Sequence, residues 1–264
     1  MSSLELQKGS NMSWSKEKEE AARLIMRMLY DNGMIRTFYR DRPQGWTLIS
    51  GLYSPLYIQL RPMVSYPDIL RTVCRAMVRM IREEAPEITK IVGIAMAGIP
   101  IVAGMAVVGG MPAAFTRKME GVRSVESFRS TIIDYGEHSL LEGDLVPGDK
   151  LVLVDDLVTR FDSKQVALEQ VNYEIRKRAL RGVERRNIAV VLDREQGGQE
   201  AAQATGMKLV SLIPFKTVGL PLLKNVMAQK EWEIITSYLD NPSSFQDLKV
   251  QEAIAKESIR FSGQ

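Results

Sequence analysis

The chain has 264 residues, 45% apolar and 25% charged, and its 35 Lys and Arg against 32 Asp and Glu leave a formal net charge of only +3. That length suits one α/β domain with extra segments, while the small basic excess and 7% aromatic content argue against a nucleic-acid binder. One cysteine (Cys74) and one histidine (His138) exclude a disulfide framework and a cysteine-rich or multi-histidine metal site.

Residues 1–14 are polar and aperiodic and read as a disordered leader. They lack the apolar core of a secretory signal, and no apolar run reaches the roughly 18 residues that span a bilayer. A cytoplasmic protein is expected. From Ser15 the pattern is helical: Ala21, Leu24, Ile25, Met28 and Leu29 share a face, with acidic residues in the first turn and Gly33 past the end. Residues 46–60 alternate and suggest an extended, hairpin-like stretch. Pro67 opens a helix to about Glu84, with Leu70, Val73, Met77, Val78 and Ile81 facing inward. Cys74 lies near this stripe and reads as structural.

Short apolar runs, all but the second rich in Val, Ile and Leu, follow at Ile88–Ala95, Pro112–Thr116, Lys150–Asp155, Asn187–Leu192 and Lys208–Leu212. Helical stretches at about 99–109, 163–180 and 197–205 separate most of them. Buried strands alternating with helices predict an α/β fold, a central, mainly parallel sheet flanked by helices. Ligands of such sheets bind beyond the carboxyl ends of the strands, which directs attention to the loops after Ala95, Thr116, Asp155 and Asp193. Two C-terminal helices, about 226–239 and 244–259, are broken at Asp240-Asn241-Pro242. The expected domains are therefore 15–225 and a C-terminal helical extension, 226–264, packed on the same domain. The methionines at 26, 28, 77, 80, 105 and 111 read as core packing. The basic cluster from Arg176 to Arg186 reads as a solvated helix end, favourable to the helix dipole.

The most informative stretch is Leu151-Val152-Leu153-Val154-Asp155-Asp156-Leu157-Val158-Thr159. It places two acids at the tip of a buried strand. Adjacent carboxylates repel each other and are retained there for a cation or a sugar diol, or as a helix cap with a solvated acid. The stretch resembles the phosphoribosyl diphosphate (PRPP) motif of type I phosphoribosyltransferases. Four further segments narrow the resemblance to orotate phosphoribosyltransferase: 50–61 (Ser-Gly-Leu-Tyr-Ser-Pro…), 92–100 (Val-Gly-Ile-Ala-Met-Ala-Gly-Ile-Pro), Arg117-Lys118 with Asp134-Tyr135-Gly136, and Asp193-Arg194-Glu195-Gln196-Gly197-Gly198. They occur in the family's order over roughly residues 20–220.

The resemblance implies a type I phosphoribosyltransferase fold with a small N-terminal hood. It also implies transfer of ribose 5-phosphate from PRPP to a nitrogen of orotate in pyrimidine nucleotide synthesis, with Mg²⁺ and a homodimer, and without nucleic acid or membrane as partner. Carried over residue by residue, Asp155 and Asp156 hold the ribose diol, directly or through the metal's water. Thr159, Arg160, Ser163, Ala97 and Gly98 meet the phosphates. Arg117 and Lys118 neutralise the leaving pyrophosphate from a neighbouring subunit. Arg194, Ser50 and Tyr57 meet the acceptor.

Several positions depart from the pattern. The phosphate loop reads Thr159-Arg160-Phe161-Asp162-Ser163 where the family carries small residues, so Phe161 removes glycine's conformational freedom and Asp162 adds a negative charge. Ile49, Gln59, Met96 and Ile133 replace a usual Lys, Asp, Tyr and Lys. About a dozen extra residues stand between Lys118 and Asp134, where Arg123 and Arg129 could replace a missing cation. Two expectations follow: a transferase with an idiosyncratic site, weakened or redirected to another acceptor, or a non-catalytic regulatory or ligand-sensing protein on the same fold.

Overall fold

The structure is a computed structural model that describes residues 12–48, 50–133 and 138–261. The first helix, α1 (Trp14–Asp31), buries Ala22, Ile25, Met26 and Leu29, whose three- and four-residue spacing makes one helical face. It starts inside the expected leader. The Trp14 indole donates to Glu84 at 3.0 Å, so residue 14 belongs to the fold, while residues 1–11 lie outside the described residues.

Four short strands build the hood: β1 (Ile35–Thr37), β2 (Trp46–Thr47), β3 (Tyr53–Ser54) and β4 (Leu56–Ile58). β1 pairs with β4 and β2 with β3, both antiparallel. α2 (Pro67–Glu84) has the bounds its proline and its apolar period predict, because proline's fixed φ suits a first helical turn. Of its expected inward residues Leu70 is only half-buried; Ile69 and Cys74 are buried instead. Burial pushes the Cys74 thiol up to about 12, which fits a packing role.

The main sheet contains β5 (Lys90–Gly93), β6 (Ala113–Thr116), β7 (Leu141–Glu142), β8 (Lys150–Val158), β9 (Glu184–Asp193) and β10 (Lys208–Pro214). Their order is β10-β9-β8-β5-β6-β7, parallel throughout except for the edge strand β7. Alternate residues feed opposite faces. Ile91, Val152, Val154, Ala189 and Val191 join the core under α1, α2 and α3 (Gly98–Gly109). Val92, Leu151, Leu153, Ile188 and Val190 join the one under α5 (Asp162–Lys177) and α6 (Gly198–Ala204).

The long segment after Lys118 is built as well. Its helix, α4 (Val125–Ile132), is capped by Ser124, which accepts from the Ser127 N–H at 3.2 Å. Phe128 is buried with Met119 and Leu140 against Val166 and Tyr173 of α5. Residues 134–137, with the expected Asp-Tyr-Gly element, lie outside the described residues, as does Ile49. Arg178, expected in solvent, binds the Glu174 carboxylate and the Leu141 carbonyl at 2.8 and 2.9 Å, fastening the β7 arm to α5.

After a π-helical turn at Phe215–Gly219 and the short α7 (Leu220–Leu222), α8 (Gln229–Asp240) returns to the hood. Its buried Glu231 accepts from the Tyr30 hydroxyl at 3.0 Å and from Thr37. A 3₁₀ turn at Pro242–Gln246 and α9 (Leu248–Phe261) complete the described chain. The C-terminal helices thus pack on the same domain. Among the described residues no helix is long and apolar enough to cross a membrane.

Candidate active site

Strand order fixes where a ligand belongs. From β5 the chain moves outward to β6 and β7, then crosses back to β8 on the other side of β5. The carboxyl ends of β5 and β8 therefore flank the topological switch point, the usual ligand crevice of an open α/β sheet. The segments there are 94–98 and 155–163, the second running from the last residues of β8 into the first turn of α5.

The first loop is held from both sides. The Ile94 N–H donates to the Val154 carbonyl at 2.8 Å, and the Ala95 N–H to Thr116 Oγ1 at 3.0 Å. Gly98 opens α3 so close to β8 that a Cβ would strike the Val154 carbonyl. Its glycine serves this approach. Ala97 is half-buried beside it, Met96 is exposed, and the peptide between Ala95 and Met96 is cis.

The second segment carries the acidic pair. β8 runs on to Val158, past the strand end expected at Asp155, so Asp155 and Asp156 lie within its final stretch of pairing with β9, and both are more than nine-tenths buried, at 6% and 8% exposure. Asp155 is engaged through both oxygens: Oδ1 accepts the Asp156 N–H at 2.9 Å, and Oδ2 meets the Lys164 ammonium at 2.8 Å. Lys164, from the first turn of α5, is itself buried and also donates to the Leu157 carbonyl at 2.7 Å. Sequence reasoning missed this residue, since a lysine near a helix start is ordinarily assigned to solvent. Asp156 accepts the Leu157 N–H at 2.7 Å. Burial first, then the neighbouring Asp155 carboxylate, push its carboxyl up to about 7, against the pull of Lys164 and the Leu157 N–H.

A raised carboxyl pKa means that the folded chain binds a proton which the unfolded chain has released. This contribution to stability is present on the acid side and is lost as pH rises through the window from about 4 to about 7. Asp193, also pushed up by burial, acts in the same direction. Asp156→Asn is expected to flatten the fall in thermal midpoint between about pH 5 and about pH 8; an unchanged slope would assign the effect elsewhere.

Beyond the acids, Thr159 is half-buried, Arg160, Asp162 and Ser163 are exposed, and Phe161 is buried at the N-cap of α5. Phe161 keeps φ 98° and ψ −8°, the left-handed region that favours glycine. Such strain costs about 1–3 kcal/mol, whereas deleting a buried phenylalanine ring costs about 3–5 kcal/mol. Packing wins, because the ring joins the core of Val158, Ala167 and Val171. Phe161→Gly is therefore expected to relax the backbone yet lower stability by about 1–3 kcal/mol in urea denaturation. The charge of Asp162 matters less than its position in sequence suggests. Its exposure brings a repulsion of about 4 kcal/mol at 4 Å and an effective dielectric of 20 toward the value of about 1 kcal/mol in water.

Arg117 and Lys118 leave the end of β6 exposed, and Arg117 makes a long contact to Glu142 at 3.6 Å. Of the expected acceptor residues, Ser50 is exposed and Tyr57 stacks on Trp46 with ring centroids 5.8 Å apart. Arg194 differs from all of these. It follows β9, is 8% exposed, and its Nε and Nη2 have no hydrogen-bond partner among the described residues. Burial pulls its pKa down, while the Tyr238 hydroxyl, hydrogen-bonded to it, pulls the other way. Nε and Nη2 form one edge of the guanidinium, the fork that matches a carboxylate with two parallel N–H bonds.

For the implied Mg²⁺, the donor set offers little. Asp155 already carries the Lys164 ammonium, and among the described residues no group of three or more His, Cys, Asp or Glu could hold a metal ion. Direct coordination by the Asp155–Asp156 pair does not fit this arrangement.

Comparison with known proteins agrees with the fold. No protein-family model matches the chain. It is 30% identical to the orotate phosphoribosyltransferase of Pyrococcus furiosus over 166 residues, 63% of this chain and 81% of that protein. It is 27% identical to that of Streptococcus thermophilus over 215 residues, 81% of this chain and 94% of that one. Bovine uridine 5'-monophosphate synthase is 28% identical over 174 residues, 66% of this chain; the match spans only 32% of that longer protein. Among solved structures, UMP synthase of Leishmania donovani superimposes with TM-score 0.66 at 24% identity, over 83% of this chain and 42% of that one. Orotate phosphoribosyltransferase of Aeropyrum pernix gives 0.59 at 21%, over 76% and 97%. At these identities the superpositions speak for the fold alone.

Proposed function

The chain belongs to the orotate phosphoribosyltransferase family, and from that footing we propose that it moves the 5-phosphoribosyl group of PRPP to a ring nitrogen of orotate or a closely related planar carboxylate. The bond from the ribose anomeric carbon to the diphosphate oxygen breaks, the bond to the acceptor nitrogen forms, and diphosphate leaves. The observation that carries this reading is the free edge of Arg194, a buried fork that meets no hydrogen-bond partner among the described residues and is placed one strand beyond the acidic pair.

The remaining roles follow from position. The ribose hydroxyls fall to Asp156, because Asp155 is committed to Lys164 and acts as its counter-charge. The 5-phosphate rests on Thr159, Arg160, Ser163 and the first N–H groups of α5. Ala97 and Gly98 border the diphosphate. Arg117 and Lys118, exposed beside it, serve a partner subunit's diphosphate in a cytoplasmic homodimer. A Mg²⁺ carried by PRPP would supply charge neutralisation for the leaving diphosphate, and Asp156 is the carboxylate left to face it, since Asp155 is committed to Lys164. Positioning and charge stabilisation are the protein's share of the work.

The test is PRPP-dependent loss of orotate absorbance with Mg²⁺, alongside calorimetric titration with PRPP. Turnover establishes the reading. PRPP binding without turnover on orotate directs attention to another acceptor. Absence of both, together with gain of PRPP binding in Phe161→Gly, Asp162→Gly, favours the non-catalytic sensor, for which the rebuilt loop is the specific observation.

A further inference from the structure

Arg185 and Arg186, near the start of β9, are exposed and stand at the far end of the sheet from the acidic pair. Arg185 pairs with Leu151 at the start of β8, and Asp193 closes β9 about 26 Å further along an extended strand. Beside the two arginines a cavity of about 540 Å³ opens between α4, α5, β9 and the turn that leads into β10. That size falls within the roughly 300–1,000 Å³ of small-molecule pockets.

Guanidinium groups dominate its charge. Arg129 of α4 joins Arg185 and Arg186 on the lining. Among the described residues neither Arg129 nor Arg186 spends its side chain in an ion pair or a hydrogen bond. Arg185 is oriented by Asn172 of α5, whose Oδ1 accepts its Nε–H. Two carboxylates share the cavity, Glu126 and Glu169, against these three cations. Glu126 lies in the first turn of α4, where the helix dipole favours an acid. Glu169 is half-buried on α5, and Leu168 and Met207 beside it add apolar surface.

The walls are set before any ligand arrives. Leu168, Glu169 and Asn172 share one face of α5 at three- and four-residue spacing. Phe128, buried with Met119 and Leu140, holds α4 against that helix. The extra length after Lys118 thus has a physical product, a second cleft.

We propose that this cleft is a binding site for a nucleoside monophosphate, separate from the crevice at the carboxyl ends of β5 and β8. A phosphate dianion calls for several guanidinium donors, a free carboxylate for hydroxyl donors, and apolar surface for a ring; this ligand carries all three. The phosphate takes Arg129 and Arg186, with Arg185 completing the cationic side. Glu169 accepts from the sugar hydroxyls, and the base covers Leu168 and Met207. The assignment stands whether or not the chain transfers phosphoribosyl groups.

Methionine methyl NMR reads the two sites apart, because Met207 lines this cleft and Met96 lies in the segment 94–98. Met207→Leu and Met96→Leu assign the two signals. Uridine 5'-monophosphate is expected to shift the Met207 signal with sub-millimolar half-saturation, and Arg129→Ala combined with Arg186→Ala to weaken it at least about tenfold. Both arginines are exposed, so the thermal midpoint of the double variant should hold. Inorganic phosphate and uridine, each carrying part of the ligand, should bind at least about tenfold more weakly than the nucleotide. A Met207 signal unmoved at about 10 mM nucleotide, or moved equally in the double variant, overturns the proposal. Phosphate binding as tightly as the nucleotide overturns the nucleotide as occupant. PRPP titration followed at Met96 tests the transferase reading separately: silence there, with the Met207 response intact, removes that reading and leaves this site standing.

Discussion

Lys164→Ala is expected to lower stability by about 3–5 kcal/mol, the cost of leaving a buried carboxylate without its counter-charge. The ammonium meets Asp155 Oδ2 at 2.8 Å and the Leu157 carbonyl at 2.7 Å, and both side chains of the ion pair are less than a tenth exposed. Urea denaturation at neutral pH reads the loss. Lys164→Met combined with Asp155→Asn should recover most of it, because removing a whole buried pair is often nearly neutral when the volume is kept. A loss below about 1 kcal/mol in the single variant would place the pair among solvent-screened ones.

Arg194→Met should move stability and binding in opposite directions. A buried guanidinium with two nitrogens unpartnered among the described residues opposes folding, and a methionine of similar length removes that penalty, a gain of about 1–2 kcal/mol in the unliganded chain. In the complex proposed above the same change deletes one side of a buried charge pair with the acceptor, worth about 2–5 kcal/mol, so orotate affinity should fall at least about thirtyfold. Thermal unfolding and calorimetry, run on one preparation, read both. A less stable variant would show that the bond to Tyr238 outweighs the desolvation of Arg194.

The layout of the chain was open to reading because periodicity is local. α2 runs from Pro67 to Glu84 as its proline and apolar spacing dictate, and the five parallel strands were visible as short apolar runs, four of them rich in Val, Ile and Leu. β1 and β7, three and two residues long, carry too few positions for any period to show. Trp14 looked like leader because its reason for order, Glu84, lies seventy residues away. α4 was hidden in a long segment whose signals, the Ser124–Ser127 cap and Phe128, become decisive only when α5 receives the ring.

The site shows the same division. The acids of β8 and the Asp193-Arg194 pair were legible as motifs. Lys164 was not, since it acquires its meaning from Asp155, a partner placed by tertiary folding. The conflict at Phe161 could be foreseen from residue type. Its resolution could not: the backbone keeps glycine's conformation and the interior absorbs the ring.

That ring has a kinetic corollary. A glycine-rich cradle can flicker among shapes in nanoseconds and reshape itself around whatever anion arrives. In the loop proposed for the 5-phosphate the midpoint is socketed among Val158, Ala167 and Val171, so any rearrangement must wait for an aromatic side chain to leave its seat. The chain trades adaptability for a pre-set mould, and the tempo of anion arrival and departure, more than the strength of the grip, should bear the imprint of that one residue.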